Sequence, residues 1–248
     1  MNAHALASPS SAAMWMACPA SVTLAEGRVR PSSVYAKEGT AAHRIAEMII
    51  GGNLFPPSKI TIEGTEFVVG RDMLQHLNPY IDHVQALGLL GYKIRTEQKV
   101  RLYAAGGLVW GTADCVASRG KNLVVLDLKY GKGVPVGPDS AQLKIYALAA
   151  METFRMKPSR ITAVIHQPRL DPQPKSITWT FGELDGWDCY SLRPAIDRIV
   201  SGDTTEIVGS HCRWCVRRDE CHAYAHQKSA AAADIFDDGM LDGVENIA

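Results

Sequence analysis

GGLVWGTADCVASRGKNLVVLDLKYGKG, residues 106–133, places two apolar runs around a short polar turn, Ser118-Arg119-Gly120-Lys121-Asn122. Such a pattern is a β-hairpin. Gly120 at the first central position fits a two-residue type II′ turn. With Gly120 and Lys121 at the tip, Arg119 faces Asn122. Counting outward sets Asp114 opposite Asp127 and Thr112 opposite Lys129. Side chains alternate along a strand, so Val125, Asp127 and Lys129 share one face and Val124, Leu126 and Leu128 the other. Two carboxylates directly opposite each other repel, and burial makes that worse. A divalent cation removes the conflict, because hard cations take carboxylate oxygens. The plainer alternative is one exposed Asp and an Asp127–Lys129 ion pair; two aligned acids beside a lysine favour the metal site.

The chain has 248 residues, 46% of them hydrophobic. That suits one fairly large domain or two small ones and argues against global disorder. No apolar run approaches ~18 residues, so no membrane span is expected. The N-terminus lacks a basic region followed by an apolar block, so no secretory signal is expected either. The expected location is the cytoplasm, which keeps thiols reduced. The 26 Lys and Arg balance 26 Asp and Glu. The last twenty residues carry five acids (Asp234, Asp237, Asp238, Asp242, Glu245) and no Lys or Arg. The remaining body is therefore basic by five, which is compatible with an anionic substrate. Residues 229–248 are expected to be a disordered or partner-binding tail.

Along the chain, Ser8-Pro9-Ser10 starts a helix that ends at Cys18-Pro19. Tyr35–Ile50 is helical, with Ile45, Met48 and Ile49 on its apolar face; Thr40 caps its main part, and His43 lies near that end. Asn53–Gly70 is loop or a short strand pair. Met73, Leu77, Tyr80, Ile81, Val84 and Leu87 recur at helical spacing, with Pro79 kinking or dividing the helix. Lys93–Tyr103 alternates as a half-exposed strand, in which Glu97 reads as a solvated charge more readily than as a ligand. Asp139 caps a helix to about Phe154, on which Gln142 and Tyr146 share a face. Gln142 as a capping-box partner and Tyr146 as a core residue are their plainer roles. Strands follow at Arg160–His166 and Lys175–Phe181, then a helix over Glu183–Val200 with an irregularity at Pro194.

Near the C-terminus, Cys212, Cys215 and Cys221 form C-x2-C-x5-C. Closely spaced cysteines in a reducing compartment point to metal ligation. Cys18, His211, His222, Cys115 and Cys189 are candidates for a fourth ligand. Cys115 and Cys189 sit in apolar segments and read as buried structural residues. Four thiolates suit a [4Fe–4S] cluster, and three with His222 suit zinc; spacing leaves that choice open. Trp214 with Arg213, Arg217 and Arg218 offers an aromatic, basic surface for a DNA strand, or simply a solvated charged loop.

Asp114, then Asp127-Leu128-Lys129, resembles the PD-(D/E)XK nuclease superfamily. Gln142 and Tyr146 are similar to the Q-x-x-x-Y element of its RecB-like branch, and His43 to that branch's upstream histidine. The resemblance runs from about Pro9 to Tyr224, and extends to a phage-borne group of RecB-like proteins. Iron–sulfur members of the branch, AddB-like and CRISPR-adaptation nucleases, carry one cysteine before the nuclease core and three after it. Cys18, Cys212, Cys215 and Cys221 match that arrangement.

The resemblance implies an α/β, restriction-endonuclease-like core: a mixed β-sheet flanked by helices, with the N- and C-terminal segments joined by a [4Fe–4S] cluster. A single nuclease domain over 1–228 is expected, its core at about 93–200. It implies a metal-dependent DNA nuclease, most simply an exonuclease, acting in phage or bacterial recombination, repair or replication. His43, Asp114, Asp127 and the Leu128 carbonyl would hold Mg²⁺ or Mn²⁺. Asp114, Asp127, Lys129, Gln142 and Tyr146 would be the catalytic set. DNA is the expected partner, with a recombination or replication protein on the acidic tail. The rival expectations are a catalytically silent DNA-end-binding protein and a zinc-stabilised interaction module.

Overall fold

The computed structural model describes residue 5, residues 7–25, residue 28 and residues 31–238. In chain order, a 3-10 turn (Pro9–Ser11) precedes α1 (Ala12–Trp15), α2 (Ala20–Thr23), α3 (Val34–Ile50), β1 (Lys59–Ile62), β2 (Thr65–Val68) and α4 (Arg71–Leu89). There follow β3 (Lys93–Leu102), β4 (Val109–Arg119), β5 (Asn122–Leu128), α5 (Ala141–Thr153), β6 (Arg160–Gln167) and β7 (Asp171–Thr180). The chain continues through α6 (Phe181–Trp187), a π-helical turn (Asp188–Leu192), α7 (Arg193–Val200), 3-10 turns at Ser210–Trp214 and Arg218–Glu220, and α8 (His222–Asp238).

The chain forms two compact units. One comprises 1–12 and 31–191, the other 13–30 and 192–248. The first unit reaches back to residue 31 because the sheet needs α3 and α4 to complete its core. Ala42, Ile45 and Ala46 of α3 and Leu77, Tyr80 and Val84 of α4 pack with Cys115, Ala117, Leu126 and Leu128. α5 packs along β3 to β6, and it is apolar around most of its surface, as a buried helix must be. Alternate strand residues Leu123, Val125, Ala163 and Ile165 are buried as well.

The sheet has the order β3-β4-β5-β6-β7 and is mixed, and β1 and β2 form a separate two-stranded sheet. β5 and β6 are the parallel pair, with α5 between them in sequence. The hairpin register is the one counted from the sequence, from Arg119↔Asn122 to Cys115↔Leu126. Gly120 has φ +57° and Lys121 is not among the positive-φ residues, which fits a type II′ turn. The next rung, Asp114 with Asp127, does not form among the paired residues. β4 stays with β3 down to Val109 while β5 stays with β6. The two central strands therefore part at Asp114, and a fork opens in the sheet.

Several local expectations change. Ser33, not Thr40, caps α3, accepting the Ala36 N–H at 3.2 Å. Met48 is exposed, and the buried face is Ala41, Ala42, Ile45 and Ala46. Ser140, not Asp139, caps α5, which frees the Asp139 carboxylate to accept from Trp179 and pair with Lys144. α4 runs through Pro79 undivided. α8 continues to Asp238, into the stretch expected to be a disordered tail; 239–248 lie outside the described residues. No helix among the described residues is long and apolar enough to cross a membrane.

His166 on β6 is buried against α4. Its Nε2 lies 2.9 Å from His83 Nδ1, and the Tyr80 ring meets it edge-on. Burial, then the nearby His83, pull its pKa down to about 4. The unfolded chain binds this proton near pH 6.5; the folded protein refuses it until about pH 4. The stability is thus complete above pH 6.5 and falls as pH drops toward 4, by up to about 3 kcal/mol. Denaturant melts at pH 7 and 4.5 should show that loss, and His166→Gln should flatten it. An equal loss in His166→Gln would assign the slope to other groups.

Candidate functional site

The fork in the first unit brings three elements together. Asp114 lies where β4 leaves β5, and its Oδ2 accepts the Leu128 N–H at 2.7 Å. That bond replaces the backbone rung the fork removes. His43 of α3 approaches from the helix side: Nε2 is 2.9 Å from the Leu128 carbonyl oxygen. A carbonyl only accepts, so Nε2 carries a proton and Nδ1 faces the acids. Nδ1 is 3.4 Å from Asp114 Oδ1 and 3.5 Å from Glu97 Oε1. His43, Glu97 and Asp114 each offer an atom within 4.8 Å of the others, the one such group of metal-ligating side chains among the described residues.

Glu97 is the candidate ligand that sequence reasoning undervalued. It sits between the rungs Thr96↔Cys115 and Gln98↔Ala113, facing Asp114, with φ +46°. A left-handed conformation in a strand costs a non-glycine residue on the order of 1–3 kcal/mol. The kink brings its carboxylate toward His43 instead of leaving it in solvent. Alternation alone assigns Glu97 to a charged, solvated row, and the kink has no sequence signature.

Asp127 is nearly fully buried. Lys129 Nζ lies 3.0 Å from its Oδ1 and 2.8 Å from its Oδ2. Only the Oδ1 contact is a directed hydrogen bond, so Oδ2 is a buried anionic oxygen without a hydrogen-bond donor. Gln142 of α5 closes the arrangement. Its Nε2 donates to Asp127 Oδ1 at 3.0 Å, and its Oε1 accepts from Lys129 at 3.1 Å. Tyr146, one turn later, is buried and hydrogen-bonds Gln142. Gln142 is thus a bridge between the acid and the lysine rather than a capping-box partner.

Burial and charge push the two acids apart. Burial would raise the Asp114 pKa, but His43, Lys129 and the Leu128 N–H outweigh it and hold it below the usual range. Burial, reinforced by Asp114, raises Asp127 despite Lys129. Burial disfavours charge on His43 and Lys129, yet Asp114 with Glu97, and Asp127 with Asp114, hold both above their ordinary values. Acids driven apart in this way are a mark of functional sites. The expected Leu128 carbonyl ligand is here engaged by His43, while Asp114 and His43 fall in the ligand group and Asp127 beside it.

Gly111 of β4 packs under this arrangement. A Cβ there would sit 2.9 Å from Pro9 Cδ and 3.2 Å from Tyr146 Cε1. Gly111→Ala is expected to cost about 1–3 kcal/mol and to dislodge Tyr146. A urea melt with an unchanged midpoint would show that the contact is slack.

In the second unit, Cys18, Cys212, Cys215 and Cys221 line one cavity with Glu206, His211 and Arg217. Cys115 and Cys189 belong to the other unit. Burial pushes the Cys115 thiol up to about 12. Cys189 is exposed, not buried as its apolar segment suggested. The sulfurs of Cys18 and Cys212 accept the N–H groups of Ile207 and Gly209, each at 3.4 Å, and Cys18 Sγ also donates to the Thr205 carbonyl. His222 does not line the cavity. His211 does, with Nε2 donating to the Ile207 carbonyl at 3.0 Å. No three of the four sulfurs lie within 4.8 Å of one another. A zinc tetrahedron with 2.3 Å bonds needs ~3.8 Å between sulfurs.

Among solved structures, one titled "Crystal structure of SSO0001" is similar over 88% of this chain and 86% of its own, at 13% identity and a TM-score of 0.39. That degree of likeness carries no argument about the site. A family model described as "Protein of unknown function (DUF2800)" matches residues 4–247, and the chain belongs to that family.

Proposed function

We propose that the protein is a metal-dependent DNA nuclease of the PD-(D/E)XK type, its first unit a restriction-endonuclease-like core. The observation that carries this reading is the fork. It gathers His43, Glu97 and Asp114 as a cation-binding group and locks Asp127, Lys129 and Gln142 next to it. The donor set fits Mg²⁺ or Mn²⁺: carboxylate oxygens and one imidazole nitrogen. The buried Asp127 Oδ2 offers a further anionic oxygen.

When bound, the cation lowers the pKa of a water and withdraws charge from the attacked phosphate. The protein's own residues do the rest. Asp114 and Glu97 would hold the cation, with His43 through a deprotonated Nδ1. Asp127 holds the Lys129 ammonium, which donates to the developing charge on the phosphate. Gln142 restricts Lys129 to one position, and Tyr146 fixes Gln142. In the second unit, the four cysteines are proposed to hold a [4Fe–4S] cluster. What supports four-cysteine ligation is that Cys18, Cys212, Cys215 and Cys221 line one cavity; the choice of a cluster over zinc rests on the resemblance.

The test is incubation with end-labelled single- and double-stranded DNA in Mg²⁺, Mn²⁺ or EDTA. Cleavage in metal and none in EDTA is expected. Binding without cleavage on every DNA form would move the reading to a silent DNA-end-binding protein.

A further inference from the structure

We propose that Arg169 is a phosphate-gripping residue, held by Glu38 until a DNA strand arrives; the inference rests on the nuclease reading of the first unit. Arg169 lies in the turn between β6 and β7. β5 and β6 are parallel, with Leu128 paired to His166. Their C-terminal ends therefore emerge together, with Lys129 and Tyr130 leaving one strand and Arg169 leaving the other.

The surroundings of the guanidinium are incomplete. It lies over the Tyr130 ring, 4.9 Å from the centroid. Its Nη1 donates to Glu38 Oε2 at 3.1 Å, and the side chain is 13% exposed. Its Nε is buried and has no hydrogen-bond acceptor among the described residues. A guanidinium is a planar fork that matches carboxylate or phosphate with two parallel bonds. Here one directed bond to one carboxylate oxygen leaves the fork half used. Burying a charged donor without an acceptor is unfavourable, and a purely structural arginine would be expected to satisfy it. Tyr130 directly follows Lys129, so Arg169 stands at the end of the sheet from which the chain carrying the ammonium emerges. A phosphate of the strand next to the scissile one would complete the fork and displace Glu38.

The experiment is fluorescence anisotropy of labelled single- and double-stranded DNA across a salt series. It uses the full chain in EDTA, where no cleavage occurs, with the cleavage assay in Mg²⁺ run in parallel. Arg169→Lys keeps the charge and loses the fork, and should bind at least tenfold more weakly. Arg169→Ala should also reduce the salt slope by about one phosphate, ~0.9 for duplex and ~0.7 for single strands. Arg160→Ala, at the opposite end of β6, should do neither. Glu38→Gln alone should tighten binding several-fold, a readout that does not depend on the Arg169 variants folding well, and the same change in the Arg169→Ala background should not tighten it. Affinity within threefold of wild type in both Arg169 variants would overturn the proposal, as would equal tightening by Glu38→Gln in both backgrounds. Lower kcat with unchanged DNA affinity would make Arg169 a positioning residue acting through Tyr130. Wild type that binds DNA and never cleaves it would sink the nuclease reading and leave Arg169 measurable; no DNA binding at all would sink both.

Discussion

DNA cleavage by Lys129→Ala is expected to fall at least ~100-fold, the scale seen when one preorganised donor to a developing charge is removed. Lys129 is held from three sides, by both oxygens of Asp127 and by Gln142 Oε1. Such fixation costs no reorganisation when charge appears on the phosphate. The variant is cleaner than Asp127→Asn. Asp127→Asn keeps an amide oxygen but removes the counter-charge of the Lys129 ammonium, and breaking a buried ion pair from one side costs up to about 3–5 kcal/mol. Removing Lys129 leaves a carboxyl whose pKa already lies above the usual range, so it can neutralise by taking up a proton. Lys129→Ala should therefore stay folded and still bind Mn²⁺ through His43, Glu97 and Asp114, measurable by titration calorimetry. Extra Mn²⁺ should not restore its activity, because metal affinity is not what it lacks; Asp127→Asn should recover in part. Cleavage that persists undiminished in Lys129→Ala would place the chemistry elsewhere.

The parts of this site that sequence conveys are those carried by local geometry. A two-residue turn admits one register, so counting from Gly120 reproduces the ladder as far as Cys115↔Leu126. The next rung fails for a reason the count cannot contain: β4 follows β3, β5 follows β6, and the choice depends on strands distant in sequence. Glu97 is the sharper case. Its residue type and parity match a solvated row, and only the left-handed backbone turns it inward. The caps of α3 and α5 slip because Ser33 and Ser140 compete with Thr40 and Asp139, and tertiary partners such as Trp179 and Lys144 decide. The division into two units is also non-local. It joins 13–30 to the C-terminal fifth of the chain, and the four cysteines fall together within that joined unit.

That unit carries the second large expectation: Cys18→Ala should yield colourless protein, with iron and acid-labile sulfide lost together. Cys18 is the one ligand candidate from the 13–30 segment; Cys212, Cys215 and Cys221 come from the other. Closing so long a loop removes much of the unfolded chain's entropy, and ligand binding to the folded state adds directly to stability. Among the described residues the polar contacts between the segments include Thr23 Oγ1 donating to the Asp203 carbonyl at 2.8 Å, an Arg28–Glu220 ion pair, Cys18 Sγ donating to the Thr205 carbonyl and the Ile207 N–H donating to Cys18 Sγ. Without the sulfur, the Ile207 N–H also loses its acceptor. The second unit should therefore open at lower denaturant than the first, read as a separate early transition and as faster amide exchange over 192–221. Cys115→Ala lies in the other unit and should leave iron, colour and that transition unchanged. Fresh, anaerobically purified wild type containing one zinc and no iron would refute the cluster. So would Cys18→Ala protein that retains its full iron, since three cysteines and His211 would then be the ligands.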